Sequence, residues 1–146
     1  MAIPALIDDF RSIAVAIMAI RGQFTQESVG AACGVDLQEI ACATPQVREL
    51  QGRPVAGPFS IVCLRIPLMD ADELPSLMLT PRAGARLYQS DLQCGFTFSR
   101  GLIRIDPRIP PEGTVSFVEY RGGLDLTFEF TAKSRVLRKL VVRREF

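Results

Sequence analysis

The sequence predicts an α+β fold, in which one or more N-terminal helices pack on a curved antiparallel β-sheet, a meander of about five to seven strands. Two patterns along the 146 residues predict it. Apolar residues near the N terminus recur every three or four positions, as in a helix, whereas after residue 58 they occur in short alternating runs separated by turns. Because the helices come first and the strands follow as consecutive hairpins, the strands are expected to pair antiparallel. We expect one domain over 1–146, mainly helical over 1–50 and mainly stranded over 58–146.

The first helix is predicted from a single apolar face. The members of this face are Ile3, Leu6, Phe10, Ile13, Ile17 and Ile20. Asp8 and Asp9 complement the helix dipole near its start, and Arg21-Gly22 is a suitable end. Since most of the other positions are apolar as well, we expect the helix to be buried against the sheet. The same spacing also fits a short coiled-coil seam.

A second helical region is predicted over 25–50, with Thr25 as its N-cap and Pro45 as a breaker. The run 25–40 superficially fits a helix-turn-helix, whose recognition helix would cover 37–44. That segment contains Glu39 and neither lysine nor arginine, so it lacks donors for phosphates and base edges. The sequence therefore argues against nucleic-acid binding through this segment.

Everything after the Pro/Gly-rich connection at 52–58 is predicted to form strands. The segment 59–68 is almost continuously apolar, as in a strand covered on both faces. Alternation is strictest over 124–131, where Leu124, Leu126, Phe128 and Phe130 are expected to face the core. The other predicted strands are 77–79, 86–88, a hairpin of 92–98 and 102–106 turned by residues 99–101, 115–120, and a final strand over 136–144.

The residue types that the chain lacks exclude several kinds of catalytic site. It contains no histidine, asparagine or tryptophan, which removes histidine-dependent triads, proton shuttles and zinc sites, and also N-glycosylation. No phosphate-binding glycine loop or nucleophile motif occurs. The cysteines Cys33, Cys42, Cys63 and Cys94 form no Cys-x-x-Cys pair. We expect buried thiols, with a Cys33–Cys42 disulfide only in an exported protein.

The acidic residues Asp70, Asp72 and Glu73 are a candidate for carboxylate chemistry or for binding a hard cation. They directly follow a predicted strand, precede Pro75 and lack the ligand spacing of a calcium loop. We interpret the cluster as a solvated turn. We therefore predict no catalytic residue, no metal and no cofactor, and the chain is more typical of a non-enzyme than of an enzyme.

Charge is balanced overall but not along the chain. Of 17 basic and 16 acidic residues, six basic residues and one acidic residue lie in the last 14 positions, so that segment has a net charge of +5 and the remainder −4. We select Arg135, Arg138, Lys139, Arg143 and Arg144 as candidate partner-binding residues. An arginine-rich strand can bind an acidic protein surface or a phosphorylated ligand. The alternative is that these charges only protect a terminal edge strand from aggregation.

These observations favour a non-enzymatic protein-binding module, comparable in size and motif poverty to small bacterial toxin-neutralising immunity proteins or secretion chaperones. The partner is expected to present an acidic surface, and a homodimer is left open. Acidic residues before the apolar run 13–20 argue against a signal peptide, so we expect no membrane association and a cytoplasmic location. The alternative is a ligand-binding or histidine-independent enzymatic domain with a pocket between helix and sheet. Its candidate lining residues are Phe96, Phe98, Phe117, Phe128 and Phe130.

Overall fold

The predicted α+β class and the antiparallel sheet are confirmed. The computed structural model describes residues 4–41, 45–68, 74–93, 95–96, 104–106 and 113–144. The helices are α1 (Pro4–Met18), α2 (Gln26–Cys33) and α3 (Gln89–Leu92). The strands are β1 (Gln38–Ile40), β2 (Val47–Gly52), β3 (Phe59–Pro67), β4 (Ser76–Pro81), β5 (Arg104–Asp106), β6 (Thr114–Arg121), β7 (Leu124–Thr131) and β8 (Leu137–Arg144).

The strands form one sheet built from two meanders. Its order is β1-β2-β3-β4-β8-β7-β6-β5, and every neighbouring pair is antiparallel. The first meander runs from β1 to β4, and the second runs inward from the opposite edge, so that β8 pairs with β4. The described residues contribute eight strands to this sheet. Strand β5 lies within the predicted segment 102–106, whereas β1 and β2 lie in the region that was predicted to be helical.

The core lies on one face of the sheet. Leu124, Leu126, Phe128 and Phe130 of β7 are at most 1% exposed, which confirms the alternation predicted for this strand. The same face continues across the sheet through register partners, from Leu126 to Val142 of β8 and Leu77 of β4. Three residues of α1, namely Phe10, Ala14 and Ile17, are buried in this core. Burial against the sheet therefore accounts for the apolar face of the first helix.

The helical region predicted over 25–50 is only partly correct. Thr25 caps α2 as expected, since its side chain accepts a hydrogen bond from the Ser28 N–H at 3.1 Å. The helix ends after eight residues because Gly34 takes the left-handed conformation with φ 65° and its N–H bonds the Gly30 carbonyl. Beyond it, 38–40 and 47–52 are strands. The segment compared with a recognition helix therefore contains strand β1 instead.

The hairpin predicted over 92–106 is also only partly correct. Leu92 ends α3, a short helix that starts where the Tyr88 N–H donates to the Asp91 carboxylate at 3.2 Å. The expected strand at 86–88 is reduced to a single bridge between Tyr88 and Val136. Residues 104–106 do form a strand, paired with β6. The proposed turn at 99–101 lies outside the described residues.

Candidate binding face of the sheet

Within the described ranges, no helix covers the face of the sheet opposite the core, and we call this side the open face. Because side chains alternate along a strand, the inward set just described places the intervening residues on this side. One row across the sheet consists of the register partners Gln51, Cys63, Met78, Val141, Thr127 and Val118. The next row consists of Glu49, Arg65, Ser76, Arg143, Asp125 and Tyr120. Met78, in the middle of the first row between Cys63 and Val141, is 36% exposed, and Tyr120, at the end of the second row, is 62% exposed. This face therefore combines an apolar centre with a charged row.

The candidate residues of the C-terminal segment do not lie on an edge strand. Strand β8 pairs with β4 on one side and β7 on the other. The interpretation that its charges protect a terminal edge is therefore wrong, because both sets of backbone hydrogen-bonding groups are already paired. The last strand of a chain lies at the edge of a sheet only if no earlier strand pairs with its outer side. Here β4, the last strand of the first meander, pairs with that side of β8.

A bulge in β8 brings two of the candidate residues to the open side. Glu129 pairs with Lys139 and Phe130 with Leu137, so the register shifts between them and leaves Arg138 as the extra residue. Leu137 and Leu140 are both buried although they are three positions apart. Arg138 and Lys139, between them, both point away from the core. Arg138 is exposed, and the Lys139 ammonium lies 3.9 Å from the Glu129 carboxylate.

Arg143 also belongs to the open face. It is exposed and lies between Ser76 of β4 and Asp125 of β7 in the register. Within the described part of the chain, neither Arg143 nor Arg138 forms an ion pair. These two guanidiniums are therefore available to a partner.

Arg135 and Arg144, in contrast, make contacts that hold the fold. Arg135 has a left-handed backbone with φ 57°, and its guanidinium donates to the Ala132 carbonyl at 3.0 Å and to the Gln89 side chain at 3.2 Å. Arg144 lies on the helix side, where its Nη2 donates to the Ile20 carbonyl just after α1. Its guanidinium carbon is 5.5 Å from the centre of the Phe24 ring. Both side chains are half-buried and are already engaged.

A polar cleft opens where β3, β4 and β8 reach the same end of the sheet. Its volume is about 620 Å³, and its lining includes Gln46, Arg65, Pro67, Ser76, Arg143 and Arg144. Arg65, whose Nε lies 3.7 Å from the Glu49 carboxylate, was not among the predicted candidate residues. The signal was present, since Arg65 is the sole charged residue in the otherwise apolar segment 59–68. The cleft therefore combines two of the predicted arginines, Arg143 and Arg144, with one that was not predicted.

The described thiols do not form a reactive site. Burial raises the pKa of Cys33 to about 12, which leaves almost no thiolate at neutral pH. The side chain of Cys63 belongs to the open face but is also buried, among its neighbours on that face. Cys42 and Cys94 lie outside the described residues, as do Asp70, Asp72 and Glu73. Within the described ranges, no group of three or more cysteine, aspartate or glutamate side chains is placed to hold a metal ion.

The phenylalanines considered as pocket residues pack against one another. The rings of Phe96 and Phe128 have centroids 4.9 Å apart, and Phe117 meets Phe130 edge-on at 6.1 Å. All four are at most 8% exposed, and Phe98 lies outside the described residues. These four rings therefore fill the core beneath the helices.

Comparison of the chain with models of protein families, with curated proteins and with solved structures gave no match. Among the residues that the structure describes, no helix is long and apolar enough to cross a membrane.

Proposed function

We propose that this chain is a non-enzymatic protein-binding module that binds an acidic surface of its partner through the open face. The observation that carries the proposal is the combination on that face of an exposed apolar centre with guanidinium groups that have no ion pair. Met78 is exposed at the centre of that face, and Tyr120 is exposed at the end of the charged row. Arg143 lies in that row, on the strand next to Met78, and Arg138 is exposed farther along the same strand. An apolar centre with a charged surround is the usual anatomy of a protein interface.

The size of the face favours a protein over a small molecule. Seven spacings of about 4.8 Å between strands give a width of roughly 34 Å, and six residues at about 3.3 Å each give a length of roughly 20 Å. The resulting area is on the order of 700 Å², close to the 800 Å² or so that each partner contributes to a standard protein interface. The open face is therefore large enough for one protein partner.

The charges indicate the chemistry of that partner. Arg65 and Lys139 have carboxylates at 3.7 and 3.9 Å, so part of their charge is already compensated. Arg138 and Arg143 gain an ion pair only from outside the described part of the chain. Carboxylates at matching positions on a partner would speed association and select this face over others. The module would act by covering its partner, as a cytoplasmic toxin-neutralising or chaperone-type protein does, and this requires no catalytic group.

Two double variants with the same change of charge test the proposal. Arg138→Glu/Arg143→Glu reverses the charge of the open face, whereas Arg21→Glu/Arg53→Glu makes the same change at two exposed loop residues. A partner is first captured from the native host and purified, and its affinity for each variant is then measured by calorimetry. We expect the first variant to bind at least tenfold more weakly, about 1.4 kcal/mol, and the second to bind like the wild type.

Three outcomes would contradict the proposal. One is equal weakening by both double variants, which would show a general effect of charge. Another is a partner whose binding surface is basic. The third is a homodimer, detected by light scattering, that the open-face variant dissociates, since the face would then be occupied by a second copy of this chain.

A further inference from the structure

We propose that the cleft at the ends of β3, β4 and β8 is a binding site for a phosphate monoester. The inference deepens the proposed function and rests on it in one respect: a phosphorylated side chain of the partner is one source of such a group, and a small phosphate ester is the other. The phosphate would sit between Arg65 and Arg143, over Ser76.

The register places these three residues side by side. Arg65 pairs with Ser76, and Ser76 pairs with Arg143, so two arginines flank one serine on three adjacent strands of the open face. With about 4.8 Å between strands, the two arginine backbones are roughly 10 Å apart. A phosphate between the side chains can accept hydrogen bonds from both guanidiniums, and the Ser76 hydroxyl can donate a third from below. Arginine pairs with phosphate through two parallel hydrogen bonds, which a single-atom donor cannot reproduce.

The charge of the described lining of the cleft favours an anion. Its described lining contains three guanidiniums, those of Arg65, Arg143 and Arg144, and no carboxylate. Glu49 and Asp125 adjoin Arg65 and Arg143 on the sides that face away from Ser76. Each guanidinium has five N–H groups, so one edge can face its carboxylate neighbour while another faces the cleft. A dianion between Arg65 and Arg143 would relieve the mutual repulsion of these two cations.

The cleft is also held in shape before any ligand arrives. The guanidinium of Arg144 is bound to the Ile20 carbonyl and lies over the Phe24 ring, and that of Arg65 lies beside the Glu49 carboxylate. Side chains that are already ordered lose less entropy on binding, which raises affinity. Arg65 and Arg143 are both exposed, whereas Arg144 is half-buried, so the guanidiniums of Arg65 and Arg143 would close over the ligand.

The test titrates the full-length protein with N-acetyl-O-phosphoserine amide at low ionic strength and follows backbone amide shifts by NMR. N-acetylserine amide controls for the neutral part of the probe, and N-acetylaspartate amide controls for a carboxylate of similar size. We expect saturable shifts centred on Ser76 and Arg143 for the phosphorylated probe alone. Arg65→Gln and Arg143→Gln should each weaken binding at least tenfold, whereas Arg138→Gln, on the same strand but outside the cleft, should change affinity less than twofold.

The outcomes separate this proposal from the proposed function. No saturable shift, equal binding of the aspartate probe, or equal weakening by Arg138→Gln overturns the phosphate site and leaves partner binding by the open face intact. The effect of Arg138→Glu/Arg143→Glu on partner binding tests the proposed function. It is a separate result from the phosphate titration, because that titration needs no partner. A phosphoserine peptide that binds more tightly than the capped amino acid assigns a protein source to the phosphate, and equal affinities assign a small ester.

Discussion

Two neighbouring arginines of β8 should respond in opposite ways to the same substitution. Arg144→Met should destabilise the protein, whereas Arg143→Met should leave its stability almost unchanged. Arg144 is half-buried on the helix side and tied to Ile20 and Phe24, while Arg143 is exposed on the open face. Methionine keeps most of the length of the apolar stem, so the substitution removes mainly the charge and its hydrogen bonds.

The magnitude follows from the contacts of Arg144. A hydrogen bond from a charged donor contributes about 1.5–3 kcal/mol, and a partly exposed cation–π contact contributes about 0.5–1 kcal/mol. The Nε of Arg144 is buried and has no hydrogen-bond partner among the described residues, so its removal returns about 1 kcal/mol of desolvation cost. The net loss should be roughly 1–3 kcal/mol, which lowers the Tm of a chain of this length by roughly 3–10 °C.

Chemical denaturation at pH 7 measures both variants against the wild type. We expect a lower midpoint for Arg144→Met at an unchanged m-value, and a change below about 0.5 kcal/mol for Arg143→Met, as is usual for exposed positions. If both variants lose the same stability, or if Arg144→Met loses none, the distinction between a structural and an open-face arginine is refuted.

Three further predictions concern the helical layer and its contacts with the sheet. Because burial raises the pKa of Cys33 to about 12 from an ordinary value of 9.0, the unfolded chain releases this proton at a lower pH than the folded protein; stability should therefore fall between pH 9 and 12 by about 1.4 kcal/mol per pH unit. Denaturation of Cys33→Ala over the same pH range should lack this contribution. Gly52→Ala should lose roughly 1–3 kcal/mol, because a Cβ there would lie 2.7 Å from Cγ2 of Val35; Gly84→Ala, with nothing within 4 Å of the added Cβ, is the matched control, and equal Tm values for the two would contradict the packing argument. Thr25→Ala should cost about 0.5–2 kcal/mol through loss of the α2 N-cap. The amide hydrogens of α2 should then exchange faster than they do in the wild type, relative to those of β7; unchanged exchange in α2 would show that the cap contributes nothing.

Local periodicity correctly predicted the elements in which the pattern of buried residues follows from the element's own sequence. In β7, each of Leu124, Leu126, Phe128 and Phe130 faces the core, because a period of two assigns alternate residues to one face wherever the strand lies in the sheet. The same reasoning succeeded for α1 and for the N-cap at Thr25. It failed beyond Gly34, where a left-handed residue ended the helix and two strands followed.

The candidate site was harder to predict for a different reason. The clustering of basic residues in the last strand was visible in the sequence, and it selected Arg138 and Arg143, which the structure shows to be exposed. It did not separate them from Arg135 and Arg144. One reason is that a bulge shifts the alternation of side chains within β8. The other is that this alternation does not reveal which contacts a given arginine makes. Arg65 was missed since its role arises from a neighbour in another strand.

The sequence by itself determined helix α1, the alternate residues of β7 that face the core, and the absence of histidine chemistry, since all of these follow from residue types and short-range spacing. The tertiary structure alone decided that β8 lies in the middle of the sheet, between β4 and β7. That pairing joins segments about 60 residues apart in the chain, and no local pattern encodes it, because any strand with one apolar face can pair with any other. It is this pairing that brings Arg65, Ser76 and Arg143 together, and with them the cleft.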